Sequence, residues 1–121
     1  MKKDFISIII PYHKKKLYFQ ETINSLIKQT YTNYELLVIY DDQDKSELAY
    51  VKDVLRNIKR KKIKLIINKK SIGAGLSRNK AIKLSKGNYI AFCDADDKWC
   101  ADKLDYQLKF MRKNNLQFCH S

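Results

Sequence analysis

Proline is almost absent from this chain and glycine is scarce, with one Pro and three Gly in 121 residues. That excludes collagen-like repeats and the Pro/Gly-rich low-complexity chains that stay unfolded. Cysteine is sparse and odd in number, at three, which excludes a disulfide framework and fits a reducing compartment, so a cytoplasmic location is expected. No apolar run is long enough to span a bilayer, and the stretch from Ile6 to Pro11 is too short even for the core of a signal peptide. Acids are in the minority, 13 Asp plus Glu against 25 Lys plus Arg, and the formal net charge is +12. Such a field attracts phosphates, nucleic acid or acidic lipid headgroups without choosing among them. Much of the excess sits in Lys14-Lys15-Lys16 and Lys59-Arg60-Lys61-Lys62, and runs of this kind ordinarily form a solvated surface or loop.

What is present is a folding composition, 45% hydrophobic and 31% charged, in a length that suits one domain over residues 1–121. Four short apolar runs have strand length and β-branched or aromatic enrichment: Ser7 to Ile10, Leu36 to Tyr40, Ile63 to Ile67 and Tyr89 to Cys93. Three of them are continuous rather than alternating, which suits strands buried on both faces of a parallel sheet. Between them lie helical spacings. Phe19, Ile23, Leu26 and Ile27 mark the first, Leu48, Val51, Val54, Leu55 and Ile58 the second. A third helix is expected from about Gly75 to Lys86, and a fourth from Lys103 to Asn114 with Leu104, Leu108 and Met111 on one stripe. Asn114-Asn115 would stop that helix, and a fifth strand is expected from Leu116. Strands alternating with helices of this length predict an α/β fold: a mainly parallel sheet with helices on both faces.

Open sheets of this class bind ligands beyond the carboxyl ends of their strands. Those ends carry Pro11-Tyr12-His13, Asp41-Asp42, Asn68-Lys69-Lys70 and Asp94-Ala95-Asp96-Asp97. Five of the 13 acidic residues therefore fall at two strand ends of a strongly basic chain. Adjacent carboxylates next to buried strands repel unless protons, cationic side chains or a metal compensate, and hard oxygen ligands suit Mg²⁺ or Mn²⁺. An isolated Asp-x-Asp is equally well read as a strand end and helix cap; the second acidic pair is what favours a site. Arg78 follows Gly73-Ala74-Gly75 into a helix, where an arginine and backbone N–H groups can both face phosphate. The spacing is not the dinucleotide fingerprint, because Arg stands at the third position and the loop follows strand three. A lone His13 is ordinarily a satisfied histidine, and Cys93, Cys100, Cys119 and His120 match no common zinc spacing. Trp99 is expected to pack under the following helix.

The motifs Ser7-Ile-Ile-Ile-Pro11-Tyr12-His13, Gln29-Thr30-Tyr31, Asp41-Asp42, Ser71-Ile-Gly73 through Ser77-Arg78-Asn79, and Asp94-Ala95-Asp96-Asp97-Lys-Trp99, in that order, resemble the family-2 glycosyltransferases of the GT-A fold. The resemblance runs from about Ser7 to Leu116. It implies a Rossmann-like nucleotide-binding sheet, a nucleotide-diphosphate sugar donor, Mn²⁺ or Mg²⁺ as cofactor, and inverting transfer to an acceptor hydroxyl. It places the nucleotide on Pro11, Tyr12 and His13, and the base or ribose on Asp41 and Asp42. Gly73, Arg78 and Ala95 join the donor pocket, while Asp94 contacts ribose and metal and Asp96 the metal. A UDP-sugar donor, a glycan or lipid-linked acceptor, surface polysaccharide synthesis in bacteria and contact with the inner face of the membrane complete what it implies. The chain departs from the pattern in Gln43-Asp44-Lys45-Ser46, where a Gly-Ser turn is usual, and in Lys14, where Asn is common. After Asp97 only Asp102 and Asp105 remain as acids, and both read as helix residues. The catalytic base is accordingly expected beyond Ser121, and 121 residues alone are expected to bind donor without turnover. The alternative is a basic α/β module that binds nucleic acid without catalysis. The sequence holds no recognisable nucleic-acid motif, so no specific nucleic acid is expected.

Overall fold

The structure, a computed structural model, describes residues 4–58 and 62–113. Among the described residues eight elements alternate: β1 (Ile6–Tyr12), α1 (Lys16–Ile27), β2 (Tyr34–Tyr40), α2 (Lys45–Arg56), β3 (Lys62–Ile67), α3 (Ala74–Leu84), β4 (Tyr89–Phe92) and α4 (Lys103–Lys113). The sheet order is β3-β2-β1-β4, and every pair of neighbours is parallel. The expected α/β architecture is therefore present, with the Rossmann-like reversal between β1 and β4. The expected stop at Asn114-Asn115, the strand from Leu116 and the residues Cys119 and His120 lie outside the described residues, as do Lys59 to Lys61.

The two central strands explain their own composition. Ile8, Ile10 and Tyr12 of β1 lie with Leu36, Val38 and Tyr40 of β2 in one large core, closed by Phe19, Ile23 and Leu26 of α1 and Val51, Val54 and Leu55 of α2. Leu104 and Leu108 of α4 and Trp99 complete it, so the tryptophan packs as its position predicts. The other face is smaller: Ile9, Leu37 and Ile39 meet Ala81 of α3. Each such aliphatic side chain contributes about 1.5–3 kcal/mol by leaving water. Burial on both faces is what continuous apolar runs require, and β1 and β2 have it.

The Tyr89 to Cys93 run differs from the expectation. β4 is an edge strand, its register pairs Ser7 with Ile90 and Ile9 with Phe92, and α3 lies over β1 and β2. Ile90 and Phe92 are 38% and 41% exposed as a result. An apolar run alone does not reveal strand order, so a fully buried strand and one with an open face look alike in sequence.

A polar network ties β1, β2 and the entry to β4 at the amino ends of the strands. Glu35, only 1% exposed, accepts from Ser7 Oγ at 2.6 Å and from the Lys86 N–H at 2.9 Å, while Gly87 N–H donates to Ser7 Oγ at 2.8 Å. A buried carboxylate without such donors would cost several kcal/mol. Gly87 passes so close that a Cβ there would stand 2.6 Å from Ser7 N and 2.7 Å from Phe5 O.

At the opposite, carboxyl end, Asp41 does comparable work. Its Oδ1 accepts from Asn68 Nδ2 at 3.0 Å and Ile72 N–H at 2.7 Å, and its Oδ2 from Gly73 N–H at 2.8 Å. One carboxylate thus joins the ends of β2 and β3 to the loop that starts α3. Gly73 adopts φ +90°, a left-handed conformation that glycine takes without a Cβ penalty. Asn68 is held in turn by Lys80 Nζ at 2.8 Å and donates to Ser77 Oγ at 3.2 Å. Burial pushes the Asp41 carboxyl upward, but the Asn68, Ile72 and Gly73 hydrogen bonds outweigh it and hold the group below the usual carboxylate range.

Substitution tests both anchors. Gly87→Ala forces backbone apart between β1 and the start of β4 and should cost about 1–3 kcal/mol, read as a fall of several degrees in the thermal midpoint. An unchanged midpoint would show that the crossing is loose. For Asp41, the folded value lies below the unfolded one of about 3.9. Its ionised form therefore stabilises the fold above that pH, and the contribution is lost as pH falls through the lower, folded value. Asp41→Asn should destabilise at pH 7 by about 1–3 kcal/mol and should lose less further stability than wild type on acidification below pH 4. Urea titrations at pH 7 and pH 3 measure both; matching curves for the two proteins would remove the anchor.

Candidate functional site

Parallel pairing puts all four strand ends on one rim, and the chain reverses direction across the sheet between β1 and β4. A cleft of about 270 Å³ opens there, lined by residues that follow β1, β2 and β4 and by the start of α3. Open α/β sheets place ligands at such a reversal. From β1 come Pro11, Tyr12 and His13, from β2 Asp41, from α3 Arg78, and from the turn after β4 Asp94, Ala95 and Asp96. The structure brings these predicted residues together. Asp42 and Gly73 lie beside the cleft rather than in its wall. Lys15 and Ala74 line it as well, two residues to which the sequence motifs give no role.

Several of these residues reach the cleft with only part of themselves. Tyr12 is wholly buried: its ring stacks on Tyr40 at 5.4 Å, meets Phe19 edge-on at 5.1 Å, and its hydroxyl donates to Glu47 at 2.5 Å. What it presents to the cleft is main chain. His13 Nδ1 lies 2.6 Å from the Asp41 carbonyl, which can only accept, so the proton sits on Nδ1. Of the glycine loop's backbone N–H groups, those of Ile72 and Gly73 donate to Asp41.

The two adjacent aspartates, indistinguishable by sequence, have different situations. Both Asp41 oxygens are engaged in holding the glycine loop. Asp42 Oδ1 accepts from the N–H groups of Gln43 and Asp44 at 2.7 and 3.2 Å, whereas its buried Oδ2 has no hydrogen-bond partner and lies 3.9 Å from His13 Nδ1. A buried carboxylate oxygen left in this state is an acceptor in want of a donor. Where the resemblance would lead one to expect a Gly-Ser turn, Asp44 instead caps α2, accepting from Ser46 and Glu47 N–H at 2.9 and 3.0 Å.

The acid cluster is exposed, and its ligand oxygens converge. One oxygen from each of Asp94, Asp96 and Asp97 lies within 4.8 Å of the others. Thr22 Oγ1 fixes the turn from below, donating to the Ala95 carbonyl at 3.0 Å. Gln29 secures the segment between this turn and α4: Nε2 donates to Cys100 O at 2.6 Å and Oε1 accepts from Leu104 N–H at 3.0 Å. The Gln29 side chain, with the Thr30 N–H that donates to Ala101 O at 2.8 Å, is the physical content of the Gln29-Thr30 motif. Two cations face the acids: Arg78 reaches Asp94 Oδ1 at 3.1 Å and Lys15 reaches Asp96 Oδ2 at 3.2 Å. Oxygen-only donors suit a hard divalent cation such as Mg²⁺ or Mn²⁺. Cys93, immediately before this turn, is buried, and burial pushes its thiol well above the ordinary range.

Comparison with known proteins agrees with this geometry. The chain is 39% identical over 115 residues to the UDP-Glc:alpha-D-GlcNAc-diphosphoundecaprenol beta-1,3-glucosyltransferase WfgD of Escherichia coli, a match of 95% of this chain and 44% of that protein. It is 30% identical over 118 residues to the putative teichuronic acid biosynthesis glycosyltransferase TuaG of Bacillus subtilis, covering 96% and 45% respectively. The chain thus spans less than half the length of these relatives. Among solved structures, S. aureus TarS 1-349 in complex with UDP-GlcNAc superposes with a TM-score of 0.80 at 27% identity, over 91% of this chain and 32% of that one. The mannosyltransferase PcManGT from Pyrobaculum calidifontis, in complex with GDP-Man and Mn2+, shares the fold with a TM-score of 0.82 at 18% identity, over 88% and 32%. The model of the family described as Glycosyl transferase family 2 matches residues 7–120, nearly the whole sheet and its rim, and this chain belongs to that family.

Proposed function

We propose that residues 1–121 form the donor-binding part of a glycosyltransferase that takes a UDP-sugar with Mn²⁺ or Mg²⁺ and serves inverting transfer to an acceptor hydroxyl. The observation that carries this is the convergence of Asp94, Asp96 and Asp97 at the β1/β4 reversal, opposite Arg78. Asp96 and Asp94 would hold the ion. Bound there, it supplies Lewis-acid stabilisation of the negative charge that gathers on the departing nucleoside diphosphate.

The chain's own groups do the rest of the donor work. Arg78 offers a planar, always-charged donor set to the diphosphate and, by its contact with Asp94, sits where that diphosphate would meet the acids. Pro11 and the main chain of Tyr12 form the floor for the nucleotide, with His13 beside it. Of the acidic pair, Asp42 is the reader of base or ribose: its free Oδ2 can accept an N–H or O–H, while Asp41 holds the loop. The base that takes the acceptor's proton would lie outside these residues. Asp105 pairs with Lys109 at 3.2 Å within α4, and Asp102 stands immediately before that helix.

The acceptor is proposed to be a glycan or a lipid-linked sugar in bacterial surface polysaccharide synthesis. Support comes from the relatives' names, one of which specifies a diphosphoundecaprenol substrate. Among the described residues no helix is long and apolar enough to cross a membrane, and the net charge of +12 suits contact with anionic lipid at the inner face of the cell membrane. Calorimetric titration of UDP with and without Mn²⁺ tests the donor site. Wild type should bind in a Mn²⁺-dependent manner, and Asp96→Ala should weaken binding at least ~10-fold, or about 1.4 kcal/mol. Equal heats with and without Mn²⁺, or an unaffected variant, would contradict the assignment of Asp96.

A further inference from the structure

Lys15 breaks a local rule and does so at the cleft. It is the N-cap of α1, a position that favours Ser, Thr, Asp or Asn, and its side chain makes no capping hydrogen bond. Lys14 and Lys16 flank it, and the first turn holds no acidic residue, so positive charge gathers at the positive end of the helix dipole. Lys14 also takes φ +52°, a left-handed conformation costing a non-glycine residue about 1–2 kcal/mol. None of this serves the helix. The Lys15 ammonium instead points into the cleft, 3.2 Å from Asp96 Oδ2, with the two side chains 41% and 39% exposed.

We propose that Lys15 is a donor-binding residue that competes with the divalent ion for Asp96 and binds the diphosphate once that ion is in place. It rests on the donor-site assignment above and adds a residue to it. The charges require such a partner: three carboxylates and a diphosphate leave the cleft negative even with one divalent ion and Arg78 counted. A half-exposed Lys–Asp pair is worth only about 0–1 kcal/mol, so the ammonium is displaced from Asp96 at little cost. Its flexible four-carbon stem and three rotatable donors let it move to phosphate oxygens within the same cleft, whose wall Arg78 also lines. Lys15 thus exchanges one anion for another as the ion arrives, and the two cations bracket the diphosphate from β1 and α3.

The exchange makes two effects of opposite sign in one variant. Lys15→Gln removes the competing ammonium, so Mn²⁺ alone, followed by the electron paramagnetic resonance of the free ion, should bind several-fold more tightly than to wild type. UDP in the presence of saturating Mn²⁺ should bind about tenfold more weakly, UMP should lose less, and Lys15→Arg should restore most of the UDP affinity. A residue that merely supported α1 would weaken both ligands together. Lys15→Gln that binds Mn²⁺ no better than wild type, or UDP no worse, overturns the proposal. Wild type that shows no Mn²⁺-dependent UDP binding removes the donor site and the exchange with it, an outcome separable from an inert variant of a binding protein.

Discussion

The cleft depends on β1 pairing in parallel with β2 on one side and β4 on the other. That pairing aligns the carboxyl ends of three strands, so that the residues following Tyr12, Tyr40 and Phe92 emerge side by side although up to 80 residues separate them in sequence. Right-handed crossovers then oblige α1 and α3 to begin at the same rim, one on each face. The pairing is secured at its other end by Ser7, Glu35 and the close passage of Gly87, which fixes where β4 starts and therefore where Asp94 falls. A network that touches no ligand thus sets the distance between the wall built from β1 and the acid cluster.

Within the cleft, opposing charges are carried by different scaffolds. The acids stand on the turn after β4, held to α1 through Thr22, while Arg78 stands on α3, whose entry loop is clamped to β2 by Asp41. Lys15 comes from a third direction, at the junction of β1 and α1. Anions and cations within about 3 Å of each other at a solvent-open rim gain little stability from one another, since exposed pairs are screened. Their arrangement is better suited to exchanging partners with a charged ligand than to holding the fold, which is secured by the aliphatic core below.

Much of this is legible in the sequence because it depends on periodicity and on strand order along the chain. The four strands, the four helices and the rim residues at each strand end can be read from apolar spacing and from where each run stops. The illegible parts depend on three-dimensional neighbours. Asp41 and Asp42 are chemically identical, and only the positions of Asn68, Ile72 and Gly73 make one an anchor and leave the other with a free oxygen. Tyr12 reads as a cleft aromatic, yet strand alternation turns its ring into the core beside Tyr40. Lys15 is hidden in a lysine run whose ordinary fate is solvent. The signal that could single it out is the missing cap before α1. The open face of β4 cannot be read from its composition, since Ile90 and Phe92 suit a buried strand equally well.

On the function proposed above, a nucleotide-diphosphate donor binds at the rim at the β1/β4 reversal. The most direct measurement is a titration of uniformly ¹⁵N-labelled protein with UDP-glucose and Mg²⁺, followed by amide chemical shifts. Shifts should concentrate at His13 to Lys16, Asp41 and Asp42, Ile72 to Arg78 and Asp94 to Asp97, while Ser7, Glu35 and Lys86 at the far end of the strands stay in place. Shifts centred on the far end, or on the exposed face of β4, would contradict that placement, as would a spectrum that does not respond to the sugar nucleotide at all.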